Sequence, residues 1–542
     1  MTFLDAVECL LEDGNRTPVL LVLTSALAIL LAVTISKTKV NNKEHKNATS
    51  TSTSYPLPPE GITSLSEFLK CIKADKQIET VEKYGNVFMM KSPLPGIIPL
   101  QIVVTDPSVV KELTIRQMNQ YHDPCNFTTR TDQFCKLVQN VVGKGVTGVK
   151  GHEWRWRKVA LLKAFHKSAM MDPKLGLLDV VLEEGRQLCL ALDIAALDQG
   201  AVEVDVLTTK AAVGVVLFFL FGRKLEFDTE EVRESAELLM ECLGAMLFNP
   251  FYNVQKYFPG TKASKLEQGK LRAHEIIDSV VAPEIKRLLD EHAGKVPMHP
   301  GRKPGSVIAT LLEQEPRFVE GGVDSMIAEA RVFVQAGFET TAHSLAFALG
   351  MLAERKDLAE SLAREGKRIL GDTATATDTD TSKANDFMYS SNVVEQGMRD
   401  APIYKNFFLE SVRLYPLAPS LGGECRQDID VKTSDGISYR FPKGASLIFL
   451  NVPLQRHVEN PEEIRPERWD VQMSQQPFLH TFQNGAHACP GKPLSLLEGQ
   501  VFLMLIATHF EFDFATGNKV EFEDNLLLRP KDGMPLIVKR RR

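Results

Sequence analysis

The sequence lacks the cysteine pattern of a zinc-binding or disulfide-stabilised protein. Its eight cysteines are scattered over 542 residues, and no two of them form a C-x-x-C pair. This scatter excludes a zinc knuckle and a dense disulfide framework. Most of these thiols are therefore expected to be free and buried, because cysteine packs there like a small apolar residue. A cysteine with another function must be identified by its surroundings.

The chain also lacks an excess of basic residues and any repeat of fixed period. Its formal net charge is −6, which gives no bias toward nucleic acid as a partner. Apolar residues make up 44% of the chain and charged residues 24%, as in folded globular proteins. The sequence therefore predicts a large folded protein with no nucleic-acid partner.

Residues 19–35 form an apolar run without a charge near the N-terminus. The run is 17 residues long, at the short end of what crosses a bilayer as a helix. Acidic residues precede it and four lysines follow it. The positive-inside rule therefore predicts a single-pass anchor with residues 1–18 in the lumen and the rest of the chain in the cytoplasm. A cleaved signal peptide is the alternative, and the acidic leader argues against it.

Two polar stretches interrupt the rest of the sequence. Residues 36–54 are polar and without periodicity, and the proline-rich hinge YPLPPEG follows them. We therefore predict a linker before one large soluble domain that spans residues 55–542. Residues 371–386 lack large apolar side chains, and this composition predicts a flexible surface insertion within that domain.

Most of the soluble part has the apolar periodicity of helices. The long amphipathic stretches cover residues 209–221, 230–247, 266–292, 323–354, 404–414 and 494–510. Strand-like segments such as Ser446–Leu450 are short and scattered, so we predict a mainly α fold with small β-sheets. The apolar run AAVGVVLFFLFG is too short to span a membrane, and we expect it to form a core helix.

The segment A-G-F-E-T-T, residues 336–341, breaks the local rules of a helix interior. Gly337 costs about 1 kcal/mol there relative to alanine, and the hydroxyl of Thr340 can bond back to the carbonyl of Ala336 and bend the helix. Two interpretations remain open. Gly337 is a packing residue at a helix crossing, or the segment is a notch beside a bulky group, with Glu339 and Thr340 available to pass protons.

Glu410 and Arg413 lie three residues apart, on one face of a predicted helix, where they can form a charge pair. The Glu-x-x-Arg spacing alone is weak evidence, because it occurs six times in the chain. The position of this copy distinguishes it, since the segment P-E-R-W and Cys489 follow. Arg468 of P-E-R-W would then complete a Glu-Arg-Arg network that needs all its members when it is buried.

The loop around Cys489 contains the only Phe-x-x-Gly-x-x-x-Cys pattern of the chain. With the preceding motifs in this order, the sequence resembles the cytochrome P450 superfamily, the haem-thiolate monooxygenases. Their cofactor-binding loop matches Phe482, Gly485, His487, Cys489 and Gly491. Backbone N–H groups and the start of the following helix would favour a thiolate in such a loop. The fold expected is accordingly the cytochrome P450 fold.

The resemblance implies roles for the residues that match the family's motifs. Cys489 would be the axial ligand of a haem b iron, because thiolate ligation favours cleavage of the O–O bond. Thr340 would hydrogen-bond the bound dioxygen, and Glu339 would help to relay protons. Ala336 and Gly337 would leave room above the haem.

The haem propionates would be bound by Trp154, Lys158 and His487. Two of these positions depart from the family pattern. His487 and Lys158 stand where most members have arginine, and lysine offers a point charge instead of a bidentate fork. The segment after Pro416 also lacks an arginine that is often found there.

A basic cluster on the helix of Trp154 suggests an interaction with an electron donor. Its members are Arg155, Arg157, Lys158, Lys163 and Lys167. An ordinary solvated face is the alternative explanation. By resemblance, the donor would be the NADPH-cytochrome reductase of the same membrane, attracted by charge.

The resemblance implies a monooxygenase that hydroxylates or epoxidises a lipophilic small molecule with O₂ and electrons from NADPH. One alternative is a haem-thiolate isomerase or dehydratase that acts on a lipid peroxide without a reductase. Another is a membrane-tethered scaffold without catalysis. The expected location is the endoplasmic reticulum membrane, with a plastid membrane as the alternative. Fatty acid, sterol, terpenoid and carotenoid substrates all remain open.

Overall fold

The computed structural model describes residues 55–62, 64–90, 99–116, 128–249, 251–371, 387–524 and 526–541. Helices predominate, and the strands form small sheets. This is the mainly α fold with small sheets that the sequence predicts. The luminal segment, anchor and linker predicted within residues 1–54 lie outside the described residues, as do residues 372–386 of the predicted insertion.

The described helices are numbered in chain order. They are α1 (Leu65–Cys71), α2 (Ala74–Tyr84), α3 (Pro107–Lys111), α4 (Asp132–Val142), α5 (Gly151–Ala164), α6 (Lys167–Met170), α7 (Leu177–Asp198), α8 (Val204–Phe221), α9 (Thr229–Phe248), α10 (Tyr252–Gln255), α11 (Lys262–His292), α12 (Val307–Gln314), α13 (Pro316–Gly337), α14 (Glu339–Glu354), α15 (Lys356–Leu370), α16 (Ser391–Asp400), α17 (Ile403–Leu414), α18 (Asn451–Leu454) and α19 (Lys492–His509).

The described strands are short and are numbered in the same way. They are β1 (Glu60–Ile62), β2 (Val87–Met90), β3 (Gln101–Val104), β4 (Thr128–Thr129), β5 (Ala201–Glu203), β6 (Ser420–Cys425), β7 (Ile429–Lys432), β8 (Ser438–Phe441), β9 (Ser446–Leu450), β10 (Phe510–Phe514), β11 (Phe522–Asp524), β12 (Leu528–Pro530) and β13 (Pro535–Arg540).

The chain divides into two compact units. One comprises the chain up to Thr129 together with Ser420–Leu450, and the other comprises Arg130–Pro419 and Asn451–Arg542. The first unit contains a six-stranded sheet of order β1-β2-β3-β9-β6-β4. Strand β9, which has the bounds predicted from the sequence, pairs parallel to β3 and antiparallel to β6. The second unit is mainly helical and contains the motifs singled out in the sequence.

The core of the helical unit is built around α8 and α14. Within the part of the chain that the structure describes, α8 is the one helix long and apolar enough to cross a membrane, and 72% of it is buried. It is therefore the core helix predicted for this apolar run. Helix α14 packs against α8, α17 and α19, and residues 341–353 of α14 are buried.

The single long helix predicted over residues 323–354 was wrong in its boundaries and in its continuity. The structure has α13 and α14 in its place, separated at Phe338, and α13 begins upstream at Pro316 with non-helical backbone at Gly322. The Thr340 hydroxyl donates to the carbonyl of Ala336 at 2.9 Å. A side chain that competes for this carbonyl, next to the weak helix former Gly337, explains a break at this position.

Candidate active site

A tight loop positions Cys489 immediately before α19. The backbone N–H of Cys489 donates to the carbonyl of Phe482 at 2.7 Å and closes the loop. Gly485 has a φ of +64°, which glycine adopts at little cost, so this position needs a residue without a side chain. The Phe-x-x-Gly spacing thus produces a closed turn that presents the cysteine.

Cys489 differs from the other described cysteines in its exposure. Five of these cysteines are buried, whereas Cys489 is exposed; Cys9 and Cys125 lie outside the described residues. Burial raises the pKa of the Cys71, Cys242 and Cys425 thiols to about 12, as expected for inert core thiols. The accessible surface of Cys489 therefore distinguishes it from a packing residue.

Opposing effects act on the pKa of the Cys489 thiol. Desolvation by the surrounding protein raises the pKa of the thiol above its ordinary value, and the backbone N–H groups of Gly491 and Lys492 and the charge of Lys158 reduce this rise. A Cβ atom built on Gly491 would lie 3.7 Å from the sulfur. These donors fit a metal-bound sulfur, which is deprotonated. A lone thiolate supplies one ligand, so a haem, whose porphyrin supplies four more, fits this site.

Lys158, Trp154 and His487 lie beside the cysteine loop. The buried ammonium of Lys158 donates to the carbonyl of Ala488. Burial lowers the pKa of Lys158 to about 8, although the charge of Cys489 acts in the opposite direction. The rings of Trp154 and His487 are 4.5 Å apart between centroids. The structure thus brings together the three residues that the resemblance assigns to the haem carboxylates.

Arg130 is a further cation near this cluster and was not predicted from the sequence. Its guanidinium donates to the carbonyls of Val146 and Val149 at 2.7 and 3.2 Å. Its charge contributes to the lowered pKa of Lys158. No local motif marks this arginine, because the carbonyls that hold it lie 16 and 19 positions later in the chain.

The A-G-F-E-T-T segment presents an open strip on helices that are otherwise largely buried. Ala336 is exposed and Thr340 is half-buried, whereas residues 332–335 and 341–353 are buried. Gly337 is half-buried and packs closely against a neighbouring helix. A Cβ atom built on Gly337 would lie 2.9 and 3.1 Å from the two methyl groups of Val216 on α8. The structure therefore supports the packing interpretation for Gly337.

Glu339 is a buried acid at the start of α14. Its Oε2 atom has no hydrogen-bond partner among the described residues. Its Oε1 atom lies 3.7 Å from Nε2 of His343. No motif in the sequence singled out His343, although its spacing of four residues from Glu339 puts both on one helix face. An incompletely bonded buried carboxyl group is suited to exchanging protons.

Glu410 and Arg413 form the fully buried centre of a larger network. Two nitrogens of Arg413 lie 2.9 and 2.8 Å from the Glu410 carboxylate oxygens. The Arg468 side chain and the Trp469 indole also donate to this carboxylate, at 3.1 and 3.0 Å. The backbone N–H of Arg465 adds a fifth hydrogen bond at 3.0 Å. The network ties α17 to the segment that precedes the cysteine loop.

Burial, and not the spacing, sets this Glu-x-x-Arg pair apart. The copies at Glu183–Arg186, Glu230–Arg233 and Glu365–Arg368 also form ion pairs, but their side chains are partly exposed. In the remaining copies, Glu284 and Glu462 pair with arginines outside the motif. Both side chains of the Glu410–Arg413 pair have 0% exposure.

The basic cluster predicted on the helix of Trp154 is smaller than the sequence suggests, and its member Lys167 belongs to α6. Arg157 and Lys158 are buried, and Arg157 pairs with the buried carboxylate of Glu329 at 2.5 Å. The prediction that all five cations share one basic surface was therefore wrong. Arg155, Lys163 and Lys167 remain exposed. Arg155 and Lys163 line a surface pocket of about 330 Å³ together with Trp156 and Arg317.

A sequence model described as Cytochrome P450 matches residues 70–537. The chain belongs to the cytochrome P450 family. It is 22% identical to human cytochrome P450 4X1 over 508 residues, which cover 90% of each chain. It is 26% identical to rat cytochrome P450 3A1 over 84% of each chain. A shorter match, 29% identical over 39% of this chain and 37% of the relative, is to thromboxane-A synthase of Macaca fascicularis.

Membership of the cytochrome P450 family establishes the class of enzyme. Cytochrome P450 proteins are haem-thiolate monooxygenases, and this chain is accordingly a haem-dependent oxidoreductase. The family typically uses redox partners and lipophilic substrates. The exposed cysteine, its N–H donors and the nearby cations fit the haem that this cytochrome P450 requires.

Proposed function

We propose that this cytochrome P450 inserts one atom of O₂ into a lipophilic small molecule, by hydroxylation or epoxidation, with electrons delivered from NADPH by a reductase. The buried acid Glu339 and the accessible hydroxyl of Thr340 are the observation that carries this proposal. Oxygen activation requires protons at the distal side of the haem, and an acid beside an alcohol can supply them. An isomerase that does not consume O₂ has no use for this pair.

Cys489 is the proposed axial ligand of a haem b iron. Its exposed side chain and the N–H groups of Gly491 and Lys492 support this role. When bound through a thiolate, haem supplies the chemistry of O–O bond cleavage. Phe482 and Gly485 contribute by closing the loop that presents the sulfur.

Lys158, Trp154 and His487 are the proposed partners of the haem propionates. The buried ammonium of Lys158 and the neighbouring Trp154 and His487 rings support this assignment. A buried cation is stabilised by a negative partner, because desolvation otherwise disfavours its charge. The lowered pKa of Lys158 means that burial disfavours its charged form, so an anion bound beside it would stabilise the charge.

Thr340 and Glu339 are the proposed proton-handling residues. The Thr340 hydroxyl donates to the carbonyl of Ala336 and can therefore accept a hydrogen bond from a group in the open strip. Glu339 has an oxygen without a protein partner in the part of the chain described, so this oxygen is available to a further hydrogen-bonding group. The exposed position of Ala336 leaves space beside them.

The proposed electron donor is an NADPH-cytochrome reductase that contacts α5. Arg155 and Lys163 are exposed there, and Arg317 stacks on Trp156 at 4.5 Å. Such a surface of cations around an aromatic ring would attract an acidic partner. The apolar run at residues 19–35, with lysines after it, supports a single-pass anchor in the endoplasmic reticulum membrane with the enzyme on the cytoplasmic side.

The experiment that tests this function measures the cofactors that turnover requires. Purified protein, reconstituted with the reductase in vesicles, is given panels of fatty acids, sterols, terpenoids and carotenoids, and ¹⁸O incorporation from O₂ is measured by mass spectrometry. The proposal predicts a labelled product that depends on both NADPH and the reductase. Conversion of a lipid hydroperoxide without NADPH, the reductase or labelled oxygen would instead identify an isomerase.

A further inference from the structure

A buried histidine links Glu339 to a second acid on a neighbouring helix. Nδ1 of His343 lies 2.7 Å from Oδ1 of Asp205, and Nε2 lies 3.7 Å from Oε1 of Glu339. His343 and Glu339 belong to α14, whereas Asp205 belongs to the first turn of α8. The imidazole therefore stands between two carboxylates from two helices.

The exposure of the three side chains is lowest at the histidine in the middle of this line. His343 has 3% of its side-chain surface exposed, Glu339 8% and Asp205 15%. Asp205 is thus the member nearest to solvent, and Glu339 precedes the proposed proton-handling alcohol Thr340 in the chain. Buried carboxyl and imidazole groups are costly unless they compensate each other, so the three groups function as a unit.

Asp205 keeps His343 charged. Burial alone lowers the pKa of His343, but the charge of Asp205, the hydrogen bond to it and a smaller contribution from Glu339 raise it to about 10. A histidine with this pKa is an imidazolium at neutral pH, with Nδ1–H donated to Asp205 and with Nε2 3.7 Å from Glu339, beyond hydrogen-bond distance. A carboxylate that fixes the ring in this way leaves the far nitrogen to serve a third group.

His343 lies close to the point where α14 is bonded to α8. It stands four residues after the start of α14. A second bond joins the two helices at this point, because the Thr208 hydroxyl of α8 donates to the carbonyl of Ala342 at 3.1 Å. The start of α14 is thereby fixed on α8 directly after the break at Phe338.

The other groups around His343 complete its electrostatic setting. Helix α9 contributes Glu237, whose pKa is raised by burial and by Glu339 and lowered by Arg233 and His343. Helix α17 contributes the neutral hydroxyl of Ser411, which donates to the carbonyl of Ser344. The charged groups shown to interact with His343 among the described residues are therefore acids. One of these acids, Glu237, forms an ion pair with Arg233.

We propose that Asp205 and His343 form an orienting pair that positions Glu339 and compensates its charge, so that delivery of protons in this enzyme depends on His343. The inference rests on the proposed role of Glu339 in passing protons. His343 acts through Glu339 and is a positioning residue. Removal of the imidazolium leaves a buried carboxylate without compensation and without a fixed orientation.

The test measures the fate of O₂ in the full-length enzyme reconstituted with the reductase and NADPH, without an organic substrate. Reduction to water consumes more protons than reduction to hydrogen peroxide, so impaired proton delivery raises the peroxide formed per O₂ consumed. We expect H343Q and D205N to raise this ratio at least about threefold. H274Q, which replaces a half-buried histidine bonded to the carbonyl of Val141, serves as the matched control and leaves the ratio unchanged.

A second measurement follows the imidazole itself, without turnover. Nitrogen NMR of the reduced, CO-bound protein labelled in histidine identifies the His343 signal by its loss in H343Q. We expect this ring to stay protonated at about pH 8 in the wild type and to lose its proton at that pH in D205N, because the ordinary pKa of histidine is near 6.5. A ring that is neutral at that pH in the wild type would overturn the proposal.

The variants separate this inference from the proposed function. If E339Q and T340A raise the peroxide ratio and H343Q and D205N do not, the role of His343 is overturned and the proton-passing pair stands. If E339Q and T340A also leave the ratio unchanged, Glu339 and Thr340 do not pass protons, and the inference about His343 is overturned as well. If H343Q does not fold, the same peroxide ratio measured in D205N tests the role of His343, because this substitution nearly preserves the side-chain volume.

Discussion

The side chains of Glu410 and Arg413 meet in a fully buried ion pair, with Nε of Arg413 2.9 Å from Oε2 of Glu410. The remaining N–H groups of this arginine donate to the carbonyls of Gln455, Pro461 and Glu463. Such saturation is what a buried charge requires, since the loss of one partner leaves the other charge in a medium that cannot solvate it.

The R413A variant should lower the free energy of unfolding by about 3–5 kcal/mol, because the Glu410 carboxylate would be left buried without its cation. Chemical denaturation measured by circular dichroism checks this value. The matched control is R368A, which breaks a Glu-x-x-Arg pair with the same spacing on a solvated helix face and should have a much smaller effect. Equal losses in the two variants would contradict the structural role of the buried network.

Replacement of Gly337 by alanine tests whether this residue serves helix packing. The added methyl group would collide with Val216 of α8, and overpacking of this kind costs about 1–3 kcal/mol. The double variant V216A/G337A should recover most of this loss, as measured by thermal unfolding. A loss that the second substitution does not relieve would show that Gly337 is needed for another reason, such as space for the cofactor.

The exposed cations of α5 predict how the rate of haem reduction depends on salt. Exchange of Arg155 and Lys163 for glutamine should slow reduction by the reductase in stopped-flow experiments at about 10 mM salt. The effect should be smaller at about 150 mM salt, because the Debye length falls from about 30 to about 8 Å. K295Q removes an exposed cation elsewhere and should change neither rate. Identical kinetics for all variants would exclude α5 as the docking surface.

The raised pKa of His343 predicts a stability difference that depends on pH. The folded-state pKa of about 10 lies above the ordinary value of 6.5, so the folded protein retains a proton that the unfolded chain releases between these values. The stability contributed by the charged histidine is therefore fully present below pH 6.5 and lost as the pH rises through 10. The wild type should be more stable to thermal unfolding than H343Q at low pH, and the difference in their unfolding temperatures should become smaller between these two pH values. A difference that does not change with pH would contradict the assignment.

Features encoded by neighbouring residues could be predicted from the sequence. The strand-like segment Ser446–Leu450 predicted β9, and the apolar run after Thr209 predicted the buried helix α8. The spacing around Cys489 predicted a loop that precedes a helix. In each case the pattern that forms the element lies within the element itself.

Features that depend on distant partners could not be predicted. Arg157 looks like a surface cation until the fold brings Glu329 to it from 172 positions away. The pairing of His343 with Asp205 likewise spans 138 positions. The break at Phe338 is intermediate, because the weak helix formers were visible but the competition between a side-chain hydroxyl and the backbone depends on the tertiary setting.

The absorption spectrum of the reduced protein with CO tests the central claim most directly, namely that Cys489 holds a haem iron as a thiolate. The wild type should show the red-shifted band of thiolate-ligated haem, and C489A should lack it. C425A, which removes a buried thiol, should keep the band. A C489A protein that still shows the red-shifted band would contradict the assignment of the ligand.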